Sequence, residues 1–277
     1  MDEKPGSLAE MEIDHSQVHY DAYQNHQVFE LIDQMMDYYD GLSNTSFGFS
    51  PSGTRSMFNY ATYVYMSMRS TLDSIKTLLK VGHITDAFVL IRKLFDTALV
   101  EIYLEVVRVD NYDWMKSLVV KDVDEWLRGQ HWIPKIEKIQ SVLKKSKSTK
   151  DLYPWFTWDT GLKKKRDFLD NHVHASSYNS ILLNCETISL GNREKQLQNA
   201  YAILHHIMVL HLAFLFYLNG PYMMSSDYMD YRDLGEEPPA GSESWLAPYA
   251  QEAFDRFLKP HEKLAAFIKE HCPMEIK

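Results

Sequence analysis

The 277-residue chain carries a net charge of −9, is 45% hydrophobic and holds only 11 glycines and 10 prolines. This composition suits a globular protein that buries a core, and it has too few turn formers for a large β protein. Cys185 and Cys272 lie far apart and fit no zinc spacing, which argues against a disulfide framework and for a reduced, cytoplasmic setting.

In chain order, residues 1–15 are acidic and polar, with no basic-then-apolar leader pattern, and are expected to form a short mobile tail. Residues 16–277 are expected to form a single helical domain. A first helix is predicted from Ser16 to Tyr39 on the stripe Val28, Leu31, Ile32, Met35, Met36 and Tyr39, with Gly41 as its C-terminal cap and a loop over 41–53. A second runs from Thr54 to Lys80. A third begins at Thr85, whose hydroxyl suits an N-cap, and continues to Val106. The short glycine-containing turn between the last two predicts an antiparallel helical hairpin.

A helix over 113–127 follows, then one that Pro134 opens and that ends near Lys144, then a linker rich in aromatics. The periodicity predicts a helix over 160–174, a loop over 175–191 and a long helix over 193–218. Two short helices, 244–257 and 260–270, close the chain. The run from Ile203 to Leu218 is sixteen residues long and holds His205, His206 and His211. It is too short and too polar for a membrane span of about 20 residues, so it reads as a buried central helix. The fold class expected is all-α, a multi-helix bundle built on long antiparallel helices, with no membrane partner.

Charge is unevenly placed. Lys135 to Arg166 holds ten basic residues against three acids, a segment of +7, while the remainder is −16. Such asymmetry suits a local polyanion contact, and Tyr153, Trp155, Phe156 and Trp158 interleave it as they would on a nucleic-acid surface. The segment ends in KKKRDFLDNHVHASS, where Arg166 and His172 are separated by five residues.

That spacing resembles the R-x(4–6)-H motif of the HEPN superfamily, helical proteins often acting as ribonucleases in toxin and antiviral systems. Leu90-Ile91-Arg92 with Asp96, Val173-His174-Ala175-Ser176 and the C-terminal helix from Leu264 resemble further pieces of HEPN-like families. The likeness spans about residues 55–276 on short motifs. It implies an RNA-binding or metal-independent RNA-cleaving protein, without cofactor or metal, working as a homodimer in which two copies face each other.

Histidine suits such chemistry because its pKa lies near neutrality, and arginine because its fork of donors braces phosphate oxygens. Arg166 would clamp phosphate, while His172 and His174 would share the proton transfers. Asn171, Lys163, Lys164 and Lys165 would hold RNA, and Arg92, Asp96 and Asp170 would orient the histidine segment. On an ideal helix, however, Arg166 and His172 project about 120° apart. Arg166 and Asp170 stand four residues apart and could form a purely local ion pair, as could Arg92 and Asp96. Two other readings stay open. One is a non-catalytic scaffold that binds another protein. The other is a metal-dependent helical enzyme using His172, His174, Asp170 and the core-helix histidines.

Overall fold

The computed structural model describes residues 17–49, 53–113, 115, 119–186, 188, 190 and 192–277. The tail expected over 1–15 lies outside the described residues. The fold is all-α: among the described residues the only extended pairing is two isolated bridges, Met224 with Leu246 and Trp245 with Glu275.

The helices are α1 (Asp21–Gln24), α2 (Gln27–Phe49), α3 (Tyr60–Lys80), α4 (Ile84–Asn111), α5 (Lys121–Leu127), α6 (Ile136–Lys145), α7 (Lys163–Val173), α8 (Tyr178–Leu182), α9 (Arg193–Asn219), α10 (Asp227–Asp233), α11 (Pro248–Ala253) and α12 (Glu262–His271). The long helices α2, α3, α4 and α9 pack around one continuous core, and α7 lies against α4. In α3 the buried stripe Met68, Leu72, Ile75 and Leu79 recurs at steps of three and four, so a single face is apolar. α4 and α9 are buried on most of their surface, because partners cover them from several sides. α9 is long and apolar enough to cross a membrane by composition, yet most of that stretch is buried inside the protein.

The hairpin of α3 and α4 is antiparallel, as expected: Tyr60 bonds Glu105, Tyr65 bonds Glu101 and Lys93 bonds Thr71. At its turn, Gly82 adopts φ +85°, and a Cβ there would stand 2.7 Å from Val18. Both the backbone and the space select glycine.

Several starts differ from those expected: α3 begins at Tyr60 and not at Thr54, α5 at Lys121 and not at 113, and α6 at Ile136, with Pro134 just outside it. Four further points differ from expectation. The first helix does not stop at Gly41; α2 continues to Phe49. Gly41 is an interior helical residue chosen for space, since a Cβ would lie 2.6 Å from the Tyr249 ring. Thr45 lies one turn on, donates to the Gly41 carbonyl and meets the Tyr249 hydroxyl at 2.6 Å. Second, Thr85 is not the N-cap of α4 but sits inside its first turn. The cap comes from elsewhere: the Asn184 side-chain oxygen accepts from the Thr85 and Asp86 amides at 2.9 and 3.2 Å. Third, the expected loop after α7 contains α8, opened by Ser177, whose side chain accepts from the Ser180 amide. Fourth, α10 occupies 227–233, which no apolar stripe marks.

Candidate functional site

α7 runs antiparallel to α4 along a seam that can be read residue by residue. Phe95 and Leu99 of α4 face Arg166 across a shared pocket. Arg92 reaches Asp170, Phe88 meets Phe168 edge-on and lies against His172, and Thr85 meets His172. A turn of π-helix over Trp158–Leu162 leads into α7 and buries Trp158 and Leu162 at one end of the seam.

Arg166 lines a pocket of about 250 Å³ between α4, α6 and α7, together with Ile136, Glu137, Gln140, Lys163 and Asp167. Its Nε is buried and has no hydrogen-bond partner. A buried donor left unpaired costs about 1–3 kcal/mol, a penalty that the fold carries at this point. Arg166 does not pair with Asp170. That carboxylate accepts instead from Arg92 Nε at 2.6 Å, while Arg92 also forms an ion pair with Asp96 one turn along α4. Burial draws the Arg92 guanidinium down, and its bonds to Asp96 and Asp170 more than reverse that, leaving its pKa raised. Arg92 thus ties α7 to α4 one turn before the histidines.

His172 occupies a different environment. Only 7% exposed, its ring lies 4.5 Å from Phe88 and 5.0 Å from Phe168, centroid to centroid. The Thr85 hydroxyl donates its one proton to the Ser180 carbonyl, so the 3.3 Å contact between Thr85 Oγ1 and His172 Nδ1 places the proton on Nδ1. Burial lowers the pKa of His172 and holds the ring neutral. Six residues of helix separate Arg166 from His172 by about 9 Å along the axis. Arg166 therefore faces the α6 pocket, while His172 is packed beneath the start of α4. The two groups expected to share one open pocket do not meet within one copy.

His174 caps the C-terminus of α7 and is exposed, as is Asn171. Ala175 follows at φ +46°, and the Ala175 and Ser176 amides bond back to His172 and Asn171. This is a left-handed helix end that normally takes glycine. Lys163 pairs with Asp167 at 2.9 Å, Lys164 is exposed, and Lys165 is half-buried, with burial lowering its pKa. Lys135, Lys138, Lys144, Lys145, Lys147 and Lys150 are exposed, and among the described residues none has an ion-pair partner. They lie on α6, whose first turns form one wall of the Arg166 pocket, and on the residues just before and after it.

A second constellation was not foreseen from the sequence. Glu101 and Glu105 project from α4 into the core, each 1% exposed. Glu101 accepts from the Tyr65 hydroxyl at 2.7 Å and lies 3.0 Å from His211 Nε2, while His211 Nδ1 lies 2.8 Å from the Tyr39 hydroxyl. One proton order satisfies the chain: Tyr39 donates to Nδ1, and Nε2–H donates to Glu101. Glu105 accepts from Tyr60, from Arg108 twice and from Asn219. Burial, reinforced by the glutamates, pushes the hydroxyls of Tyr39, Tyr60 and Tyr65 well above the usual tyrosine range and keeps them donors. The signal available in the sequence was two acids four apart on the apolar face that carries Ala98 and Ile102.

The other core-helix histidines differ from His211. His206 Nε2 is buried without a partner, and its pKa is lowered to about 4 by burial, then by Lys165, His205 and His261. Among the described residues, no three His, Cys, Asp or Glu side chains stand close enough to hold a metal ion together. In comparisons with protein-family models, curated proteins and solved structures, nothing matches this chain.

Proposed function

We propose that this chain is a HEPN-like, RNA-binding helical protein that holds the phosphate backbone on the surface formed by α6, the segment after it and the start of α7. The reading rests on one observation: exposed lysines without ion-pair partners run along α6 and the segment after it, and the first turns of that helix wall a pocket lined by Arg166. Lysines of this kind supply counterion release, and the guanidinium supplies a directed contact to one phosphate. Within one copy the geometry favours binding over cleavage, because the neutral His172 is packed away from Arg166. RNA cleavage would be the work of a homodimer in which a second copy brings the exposed imidazole of its own α7 terminus to Arg166.

The experiment is a titration of labelled RNA at several salt concentrations, with Lys144→Glu/Lys145→Glu/Lys147→Glu and Arg166→Ala beside the wild type. For a single strand, each lost phosphate contact should reduce the salt slope by about 0.7. The triple variant should therefore lower both slope and affinity, and Arg166→Ala should lower affinity at every sequence tested. Equal binding by all three proteins, or no binding by the wild type at low salt, would end this reading. Incubation with RNA in EDTA, beside Arg166→Ala/His172→Ala, tests the cleaving form: cleavage that both proteins share removes these residues from it.

A non-catalytic protein-interaction scaffold is the second reading. Tyr178 and Ile181 on α8, with Val173 at the end of α7, favour it as an exposed apolar patch. Co-purification of a stoichiometric protein partner that Ile181→Asp abolishes would select it.

A further inference from the structure

Trp132 is 88% exposed, and among the described residues its indole makes no hydrogen bond or ring contact. Other tryptophans are engaged: Trp126 packs edge-on against Tyr60, Trp155 against Phe267, and Trp158 stacks on Tyr153 at 4.8 Å. A single exposed ring is ordinary on a folded surface, but this one is free of intramolecular ring contacts and hydrogen bonds among the described residues, so its face is open to a partner. Its surroundings narrow what would cover it. Ile133, the next residue, packs against the core and pins the chain here, and Pro134 restricts the approach to α6. Lys135 and Lys138 are exposed within the next six residues. Of the three acids in the preceding helix α5, Asp124 is held by Arg128 and Glu125 by Lys121, while Asp122 is exposed without an ion-pair partner among the described residues. Ile136 and Glu137, in the first turn of α6 and four and five residues after Trp132, line the Arg166 pocket.

We infer that Trp132 is a stacking platform for an unpaired base, and that the chain selects single-stranded over double-stranded RNA. This rests on the RNA-binding reading above. A free aromatic face beside unpaired lysines matches the two chemical features of a single strand, open base faces and a regular line of phosphates. In a duplex the base faces are stacked on one another and only the phosphates are offered, so the lysines would act without the indole.

The test uses the full chain and a fluorescein-labelled oligouridine of about twelve nucleotides, a length within the span such surfaces cover. A blunt RNA duplex of equal length and vesicles of phosphatidylcholine with phosphatidylserine are titrated in parallel. Trp132→Ala should weaken binding of the single strand about tenfold, leave its salt slope unchanged and leave duplex binding unchanged. Trp132→Phe should restore part of the loss, since it keeps a ring. Both substitutions are at an exposed position, and coincident thermal melts of the three proteins check that the fold is intact. If single-strand binding responds to the Lys144, Lys145 and Lys147 reversals but not to Trp132→Ala, the stacking inference falls and the RNA-binding reading stands. Equal loss on duplex and single strand overturns the inference as well. If the wild type binds neither RNA, both fall together. Trp132-dependent binding to the vesicles without RNA binding assigns the indole to a lipid surface and overturns the inference too.

Discussion

The network on α4 and α9 and the seam between α4 and α7 are both built from acids, histidines and arginines, yet they differ in how fully their groups are satisfied. In the first, Glu101, Glu105, His211, Asn219 and three tyrosines bond one another below the surface. In the second, Arg166 Nε lacks a partner and Ala175 occupies a backbone conformation suited to glycine, while on α6, which shares the Arg166 pocket, and on the residues flanking it, six lysines lack ion-pair partners among the described residues. Completed networks hold folds together, whereas exposed charges left without partners are available to a ligand. The comparison separates residue types that the sequence cannot tell apart.

The largest effect should come from the closed region. Glu101→Ala removes the acceptor shared by Tyr65 and His211 and leaves two buried donors unpaired. It should cost about 3–5 kcal/mol, read as a lower urea midpoint at unchanged m-value. A loss below about 1 kcal/mol would mean that water replaces the carboxylate, and the contrast with α7 would weaken.

His206 gives the next effect, through pH. Its folded pKa of about 4 lies below the ordinary value of 6.5, so the unfolded chain binds the proton more readily. The stability from the neutral ring is complete above pH 6.5 and is lost as pH falls towards 4, by up to about 3 kcal/mol. His205 and His172, also lowered by burial, act in the same direction. Urea unfolding at pH 7 and pH 4.5 should show the decline, and His206→Asn should flatten it. An equal decline in the variant would assign the acid sensitivity to other groups.

Much of the bundle was legible because it depends on local pattern. α9 begins at Arg193, the expected start, and the stripe of α3 is the one that faces the core. What stayed hidden depends on contacts distant in sequence. Gly41 satisfies the local rule for a helix cap, but Tyr249 needs the space above it. Thr85 suits an N-cap, but Asn184 performs that task from α8's far side. Asp170 stands at the right spacing for Arg166, but Arg92 lies closer once α7 docks on α4. The candidate site was legible in part: the Lys135–Arg166 stretch and the arginine of the pocket stand out in composition. The failure of Arg166 and His172 to converge follows from the 120° between them on one helix, which a motif written in one dimension ignores.

A smaller effect should come from Ala175. Its left-handed conformation costs an L-residue about 1–2 kcal/mol, which glycine avoids at some loss of chain entropy. Ala175→Gly should therefore raise stability by about 0.5–1 kcal/mol in urea unfolding, without altering RNA binding. A drop in stability would show that the methyl group packs in a way that outweighs the backbone conformation.

The smallest stability effect should be that of Arg166→Ala. The substitution deletes an unsatisfied buried donor, which favours the variant, and removes a partly buried aliphatic stem and enlarges the pocket shared with Phe95 and Leu99, which disfavours it. The two terms oppose each other, and the net change should lie within about 0.5 kcal/mol in urea unfolding. The same variant should bind RNA measurably less tightly, since the lost group is the directed donor of the basic surface. A stability loss near that of Glu101→Ala would move Arg166 into the class of completed networks. It would then be a structural residue, and the lysines alone would remain as the case for a polyanion.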